Sequence, residues 1–251
     1  MNDSALVILS GGQDSTTCLY MAKRRFETVH AITFDYGQRH SVEIDCALQI
    51  GKMAKVKTHS IIDIESLINS ESPLTSQNEL DRYENYDDMT NKVGDNIEKT
   101  FVALRNPMFI LIAASKAIQL KCQYLVTGIC QEDNANYPDC REEFRESIEY
   151  MINLALGNDC TDFQVLAPLM YSDKAQTVLI AHSMPECWEA LAFTHTSYDG
   201  KYPPTDNNHS NILRAKGFEK AGYPDPLVVR AYKEKLMDLP KTSNYDSVRD
   251  N

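Results

Sequence analysis

The segment Ser10-Gly-Gly-Gln-Asp-Ser15 follows the apolar run Ala5-Leu-Val-Ile-Leu9 and precedes Thr16 and Thr17, a composition suited to binding pyrophosphate. A buried strand would deliver the chain to two glycines, Gly11 and Gly12, whose backbone freedom lets peptide N–H groups close on an anion. A helix starting near Ser15 would aim its positive end at the same anion. The candidate contacts are therefore Leu9, Ser10, Gly11, Gly12, Gln13, Asp14, Ser15, Thr16 and Thr17. No lysine follows the glycines, so the loop is not a Walker A motif, and Asp14 stands where that charge is missing. A carboxylate beside a polyphosphate repels it unless a divalent cation lies between, which assigns Asp14 to Mg²⁺. The plainer alternative is a strand-to-helix turn capped by Ser10.

Such a loop needs a frame. Ala5–Leu9, Val29–Phe34, Thr58–Ile62, Tyr124–Thr127 and Phe163–Leu166 read as strands, several too apolar to be solvated on either face. Stretches near Ser15–Arg25, Val42–Ala54, Pro107–Lys121, Arg141–Leu156 and Lys174–His182 have helical periodicity. The alternation predicts an α/β fold, a doubly wound parallel sheet with its ligand at the strands' carboxyl ends. Asn106-Pro107 reads as a cap before a first-turn proline, and Asp139 with Glu142 as the start of a capping box. Residues 63–99 read as an acidic insertion that folds over the site as a solvated lid or stays mobile, and Thr194–His209 as a loop. Val228–Met237 reads as a last short helix and 241–251 as a frayed tail. The expected organisation is a loop-bearing domain over 1–191, a small helical and loop extension over 192–240, and the tail.

A chain of 251 residues with 43% hydrophobic content supports one sizeable core. No apolar run is long enough to span a bilayer and no signal-peptide pattern precedes Ser4, so the expected location is the cytoplasm, with no membrane partner. A net charge of −11 argues against a nucleic-acid partner, which calls for clustered Lys and Arg. The seven cysteines (18, 46, 122, 130, 140, 160 and 187) have neither disulfide-framework nor CxxC spacing and read mostly as buried thiols.

Ser10–Leu19 is joined in order by Phe34-Asp-Tyr-Gly-Gln-Arg-His40, Thr127-Gly-Ile-Cys130 with Tyr137-Pro-Asp-Cys-Arg141, Pro168-Leu169 with Asp173-Lys174, and Leu213-Arg-Ala-Lys-Gly-Phe218 with Ala221-Gly222. From Leu6 to about Pro226 this resembles the QueC family, the 7-cyano-7-deazaguanine synthases. The resemblance implies an adenine nucleotide α-hydrolase fold of the PP-loop type, with ATP held by Leu9–Thr17 and Mg²⁺ by Asp14. It implies that ATP adenylates the carboxylate of 7-carboxy-7-deazaguanine, releasing pyrophosphate, and that an amine then attacks to give an amide. In the usual family member the amine is ammonia, and a second ATP dehydrates the amide to a nitrile. It also hints at a homodimer. Two anionic reactants need cations, so Asp14 is joined by Lys174 and Arg105 as catalytic candidates. The alternative for Lys174 is an exposed helix lysine. Tyr36, Gln38, Arg39, Tyr137, Asp139 and Arg141 are the substrate-binding candidates. The alternatives are that Asp139 only caps a helix and that Asp35, Gln38 and Arg39 only form a structured loop with an internal salt bridge.

Two departures from the family stand out. Its four zinc-binding cysteines are matched here by Ser197, Thr205, Asn208 and Asn211, none of which supplies a thiolate, so no zinc is expected. His195, Asp206 and His209 are the remaining candidate ligands, and the loop over 194–211 must be held by packing, a second subunit or a partner. The family's Pro-Gly-Arg-Asn is here Ala103-Leu-Arg-Asn106, placing a leucine where a glycine is usual. With the ATP loop intact, both changes fall at the acceptor end of the site. This resembles the QueC-like proteins of antiphage operons, including type IV CBASS, and implies amide formation with the amino terminus of a partner nucleotidyltransferase. The alternatives are ordinary nitrile synthesis from ammonia, a non-catalytic nucleotide-binding scaffold, and a sulfur-transfer relative, which would need a pair of catalytic cysteines.

Overall fold

The computed structural model describes residues 3–37, 42–68, 81–94, 96–131, 136–157, 162–196, 200–204 and 206–250. Gln38, Arg39, Ser197 and Thr205 lie outside them. In chain order the elements are β1 (Ser4–Ile8), α1 (Gln13–Arg25), β2 (Thr28–Asp35), α2 (Val42–Met53), β3 (His59–Asp63), α3 (Tyr86–Val93), α4 (Arg105–Gln119), β4 (Tyr124–Val126), α5 (Glu142–Leu156), β5 (Gln164–Leu166), α6 (Lys174–His182), α7 (Pro185–Leu191), α8 (His209–Ala221), α9 (Pro226–Lys233) and α10 (Asp246–Arg249).

The five strands form one parallel sheet in the order β3-β2-β1-β4-β5. Alternate residues of β1 serve opposite cores, as the two-residue strand period requires. Ala5, Val7 and Leu9 pack with α1, α2, α6, α7 and α8 through Leu19, Ile50, Val178, Leu191 and Phe218. Leu6, with Ile32, Leu125 and Val165, packs against Ile110 and Ala113 of α4 and Ile148 and Ile152 of α5. Both faces are covered, which accounts for the continuous apolar strands. The order turns back at β1, so β1 and β4 diverge in their connections and leave a crevice at their carboxyl ends. Among the described residues no helix is long and apolar enough to cross a membrane.

The five strands and the α/β class agree with the reading from sequence, while several local readings change. The N-cap of α1 is Gly12, with no side-chain cap, so Ser10 does not cap it. Helix α4 begins at Arg105 behind Leu104, which holds φ 63°, ψ 9°, so Asn106 lies inside the first turn and is not the cap. Asp139 sits in a separate 3-10 turn, Pro138–Cys140, and α5 starts after Arg141 without a capping box. Within the insertion, α3 buries Met89 and Val93 against Leu213 of α8, so its described part is docked. The described part of 241–251 is docked and not frayed: Tyr245 and Asn244 are buried, and Asn244 Nδ2 donates to the Tyr223 carbonyl at 2.9 Å.

Candidate active site

At the tip of β1, Gly11 takes φ 85°, and a Cβ there would lie 2.4 Å from the Glu43 carbonyl oxygen of α2. Only glycine meets both demands. The turn is braced by a hydroxyl pair, Ser10 Oγ and Ser15 Oγ at 2.9 Å, and the Ser10 amide donates to Ser15 Oγ at 3.2 Å. Amides in the first turn of α1 have no intrahelical acceptor and present an anion site. Thr16 and Thr17 do not join it: both are fully buried, and their hydroxyls donate to the Gly12 and Gln13 carbonyls at 2.7 and 2.9 Å.

The loop opens into a cavity of 340 Å³. Lys174 Nζ reaches across it to Asp14 Oδ2 at 2.6 Å, both side chains being largely buried. Lys174 is the first residue of α6. It is placed by a capping box in which Asp173 accepts from the Gln176 amide at 2.7 Å and Gln176 Oε1 accepts from the Asp173 amide at 2.9 Å. Helix α8 fixes it from behind, because Gly217 lies so close that a Cβ would stand 2.8 Å from Lys174 Cβ. The reading of Lys174 as an exposed helix lysine is thereby excluded. The second Asp14 oxygen, Oδ1, and Gln13 Nε2 are buried with no hydrogen-bond partner among the described residues. A stranded acceptor and a stranded donor at one loop suit a cation and a phosphate oxygen respectively. A Mg²⁺ held by one carboxylate together with substrate phosphates fits this donor set.

Opposite the loop, Phe34 and Phe109 stack with centroids 4.4 Å apart and planes 6° apart, and Tyr36 packs on Phe109 at 5.5 Å. Arg105 lies 5.8 Å over the Tyr36 ring, and all four residues line the cavity. Tyr137 forms a further wall, its hydroxyl lying 2.5 Å from Thr100 Oγ1 and 3.3 Å from Glu98 Oε2, both buried residues at the end of the insertion. Asp139 and Arg141 are not among the cavity-lining residues. Asp139 is buried, its carboxyl raised by desolvation and partly restrained by Arg105. The Arg141 guanidinium donates to the Gln131 carbonyl at 2.8 Å.

The cavity is completed by the chain beyond α7. The His195 amide donates to the Gly11 carbonyl at 2.9 Å, fastening this segment to the anion loop. Buried Arg214 grips Asp225 through Nε and Nη2 at 2.6 and 2.8 Å and donates from Nη1 to the Thr194 and Thr196 hydroxyls at 2.8 and 2.9 Å. Asn208 caps α8, accepting from the Asn211 amide at 2.9 Å, and both Asn208 and Asn211 donate to the Asp206 carboxylate. Among the described residues no three of His, Cys, Asp or Glu converge as metal ligands.

The structure thus gathers Leu9, Ser10, Gly12, Gln13, Asp14, Ser15, Tyr36, Arg105, Tyr137 and Lys174 around one cavity and leaves out Gly11, Thr16, Thr17, Asp139 and Arg141. Sequence reasoning gave no role to Glu43, Phe34, Phe109, Cys130, Cys140, Ser210 or Arg214, which also line it. Glu43 is disguised as an acidic residue in the first turn of α2, where a carboxylate needs no explanation beyond the helix dipole.

The model of the family described as queuosine biosynthesis protein QueC matches residues 4–222. A 7-cyano-7-deazaguanine synthase of Chromobacterium violaceum is 43% identical over 235 residues, covering 93% of this chain and 96% of that protein. One from Laribacter hongkongensis is 44% identical over 232 residues, covering 91% and 95%. Among solved structures, a U34-tRNA thiolase of Methanococcus maripaludis aligns with TM-score 0.48 and 15% identity over 95% of this chain and 74% of that one. By the family model and these curated relatives, the chain belongs to the QueC family.

Proposed function

We propose that this protein uses ATP to adenylate the carboxylate of 7-carboxy-7-deazaguanine and then transfers the acyl group to an amine, forming an amide. The observation that carries the reading is the Asp14–Lys174 pair at the anion loop, with Asp14 Oδ1 still without a partner among the described residues. The Ser10–Ser15 turn and the first-turn amides of α1 would hold the β- and γ-phosphates. A Mg²⁺ between Asp14 Oδ1 and phosphate oxygens would supply charge neutralisation there. Lys174 would balance charge at the α-phosphorus, and Arg105 would hold the substrate carboxylate above the aromatic wall, where a flat base can lie. A carboxylate oxygen attacks the α-phosphorus, the α–β anhydride bond breaks, and pyrophosphate leaves. An amine nitrogen then attacks the acyl carbon and AMP leaves with the bonding pair.

For the acceptor we propose the N-terminal amine of a partner protein, a nucleotidyltransferase. Support comes from the acceptor end of the site, where an Asp206–Asn208–Asn211 cluster and the Arg214–Asp225 pair fasten the chain. A second reading, ammonia with dehydration of the amide to a nitrile, is favoured by the name shared by relatives more than 40% identical along nearly their whole length. Incubating the protein with ATP, the acid and either ammonia or the partner, followed by mass spectrometry, separates the two. Acid-dependent pyrophosphate release with an amide-linked partner is the expected result. A nitrile formed from ammonia at comparable rate establishes the second reading, and absence of pyrophosphate release defeats both.

A further inference from the structure

We propose that Glu43 is the base that takes the proton from the attacking amine in the second half-reaction. This rests on the adenylation reading above and adds a catalytic residue to it. Glu43 lines the same cavity as Asp14, Arg105 and Lys174. Its backbone is locked to the anion loop, since its carbonyl oxygen occupies the space a Cβ on Gly11 would need. The place of its backbone beside that loop is therefore set by the fold.

At neutral pH both ammonium and a protein amino terminus carry an extra proton that must leave before nitrogen can attack. Among the cavity's carboxylates, Asp14 is paired with Lys174. Lys174 and Arg105 are cations, and the Tyr137 hydroxyl is engaged by Glu98 and Thr100. His195 is engaged as well. The Glu43 carboxyl makes no hydrogen bond or ion pair among the described residues. Arg105 of α4 is the charge that acts on it, and Arg105 is also the residue proposed to hold the substrate carboxylate. The base and the acyl carbon are thereby brought to one guanidinium. Desolvation lifts the Glu43 carboxyl to about 7 against the pull of Arg105, close to the ideal for proton transfer at neutral pH.

The step balances as follows. Glu43, ionised, takes the extra proton of the ammonium, and the freed nitrogen lone pair forms the C–N bond as the C–O bond to the adenylate breaks, with AMP carrying off the electron pair. The second N–H proton goes to solvent.

The test compares Glu43→Gln with the unaltered protein in two assays, ATP–pyrophosphate exchange and amide formation. The nucleophiles are ammonium chloride, glycinamide as a surrogate amino terminus, and hydroxylamine, which is already unprotonated at neutral pH. We expect exchange to persist, amide formation from ammonium and glycinamide to fall about 100-fold, and hydroxamate formation to stay within a few-fold of the unaltered protein. Equal loss with all three nucleophiles, no loss with any, or loss of exchange itself overturns the assignment. So does a selective loss with amines in His195→Asn that is missing in Glu43→Gln. If the unaltered protein shows no exchange, it is the adenylation reading that fails, a result distinct from all of these.

Discussion

Removing one charge from the Asp14–Lys174 pair isolates what each contributes. Lys174→Met leaves Asp14 Oδ2 without its cation and removes the charge proposed at the α-phosphorus, so pyrophosphate exchange should fall by about 10²–10³-fold while circular dichroism stays unchanged. Glu43 makes a separate prediction through its folded-state carboxyl at about 7, raised from 4.5 by desolvation. A raised carboxyl leaves stability whole below the unfolded value and diminishes it as pH climbs through the folded one. Glu43→Gln should therefore gain nothing near pH 4, and about 1–3 kcal/mol over the parent above pH 7, in urea titrations at each pH. Asp14 and Lys174 were legible in the sequence because a loop with two glycines and a capped helix start has few other uses. Nothing in a sequence says which way a hydroxyl turns, and those of Thr16 and Thr17 turn back into the helix.

At the level of elements, Leu104 holds a left-handed conformation with its side chain 68% exposed and not lining the cavity, so its bulk does not narrow the site. The strain has no packing return, and Leu104→Gly should stabilise the protein by about 1 kcal/mol in equilibrium unfolding, with activity retained. Gly217→Ala should do the opposite. A methyl group 2.8 Å from Lys174 Cβ wedges α8 from α6, costing about 1–3 kcal/mol and displacing Lys174, which raises KM for ATP in steady-state assays. Strands β1 and β2 could be read because their apolar runs are almost wholly buried, whereas β3, at the sheet edge with no buried residue, was legible from its place in the alternation of strands and helices. Helix α8 went unread because its buried side includes His209, Arg214 and Gly217, which break the hydrophobic period. Helix α7 has seven residues, too few for a period to show.

For the molecule as a whole, the expected division at residue 192 has no counterpart in packing, since Phe218 of the extension lies in the same core as β1. The Arg214–Asp225 pair, buried on both sides, ties α8 to the start of α9 and to the 194–196 segment. Breaking it strands a buried carboxylate, so Arg214→Met should cost about 3–5 kcal/mol in denaturant titrations, and Asp225→Asn added to it should recover part of that loss. No periodicity could reveal this tie, because it joins residues whose partners are chosen by tertiary approach.

The bond from the His195 amide to the Gly11 carbonyl has a bearing on biosynthesis. Gly11 and Gly12, proposed to receive the triphosphate, emerge from the ribosome well before the strap that steadies them is translated. A nascent chain would consequently carry this loop without its brace until the residues past Thr194 had been made.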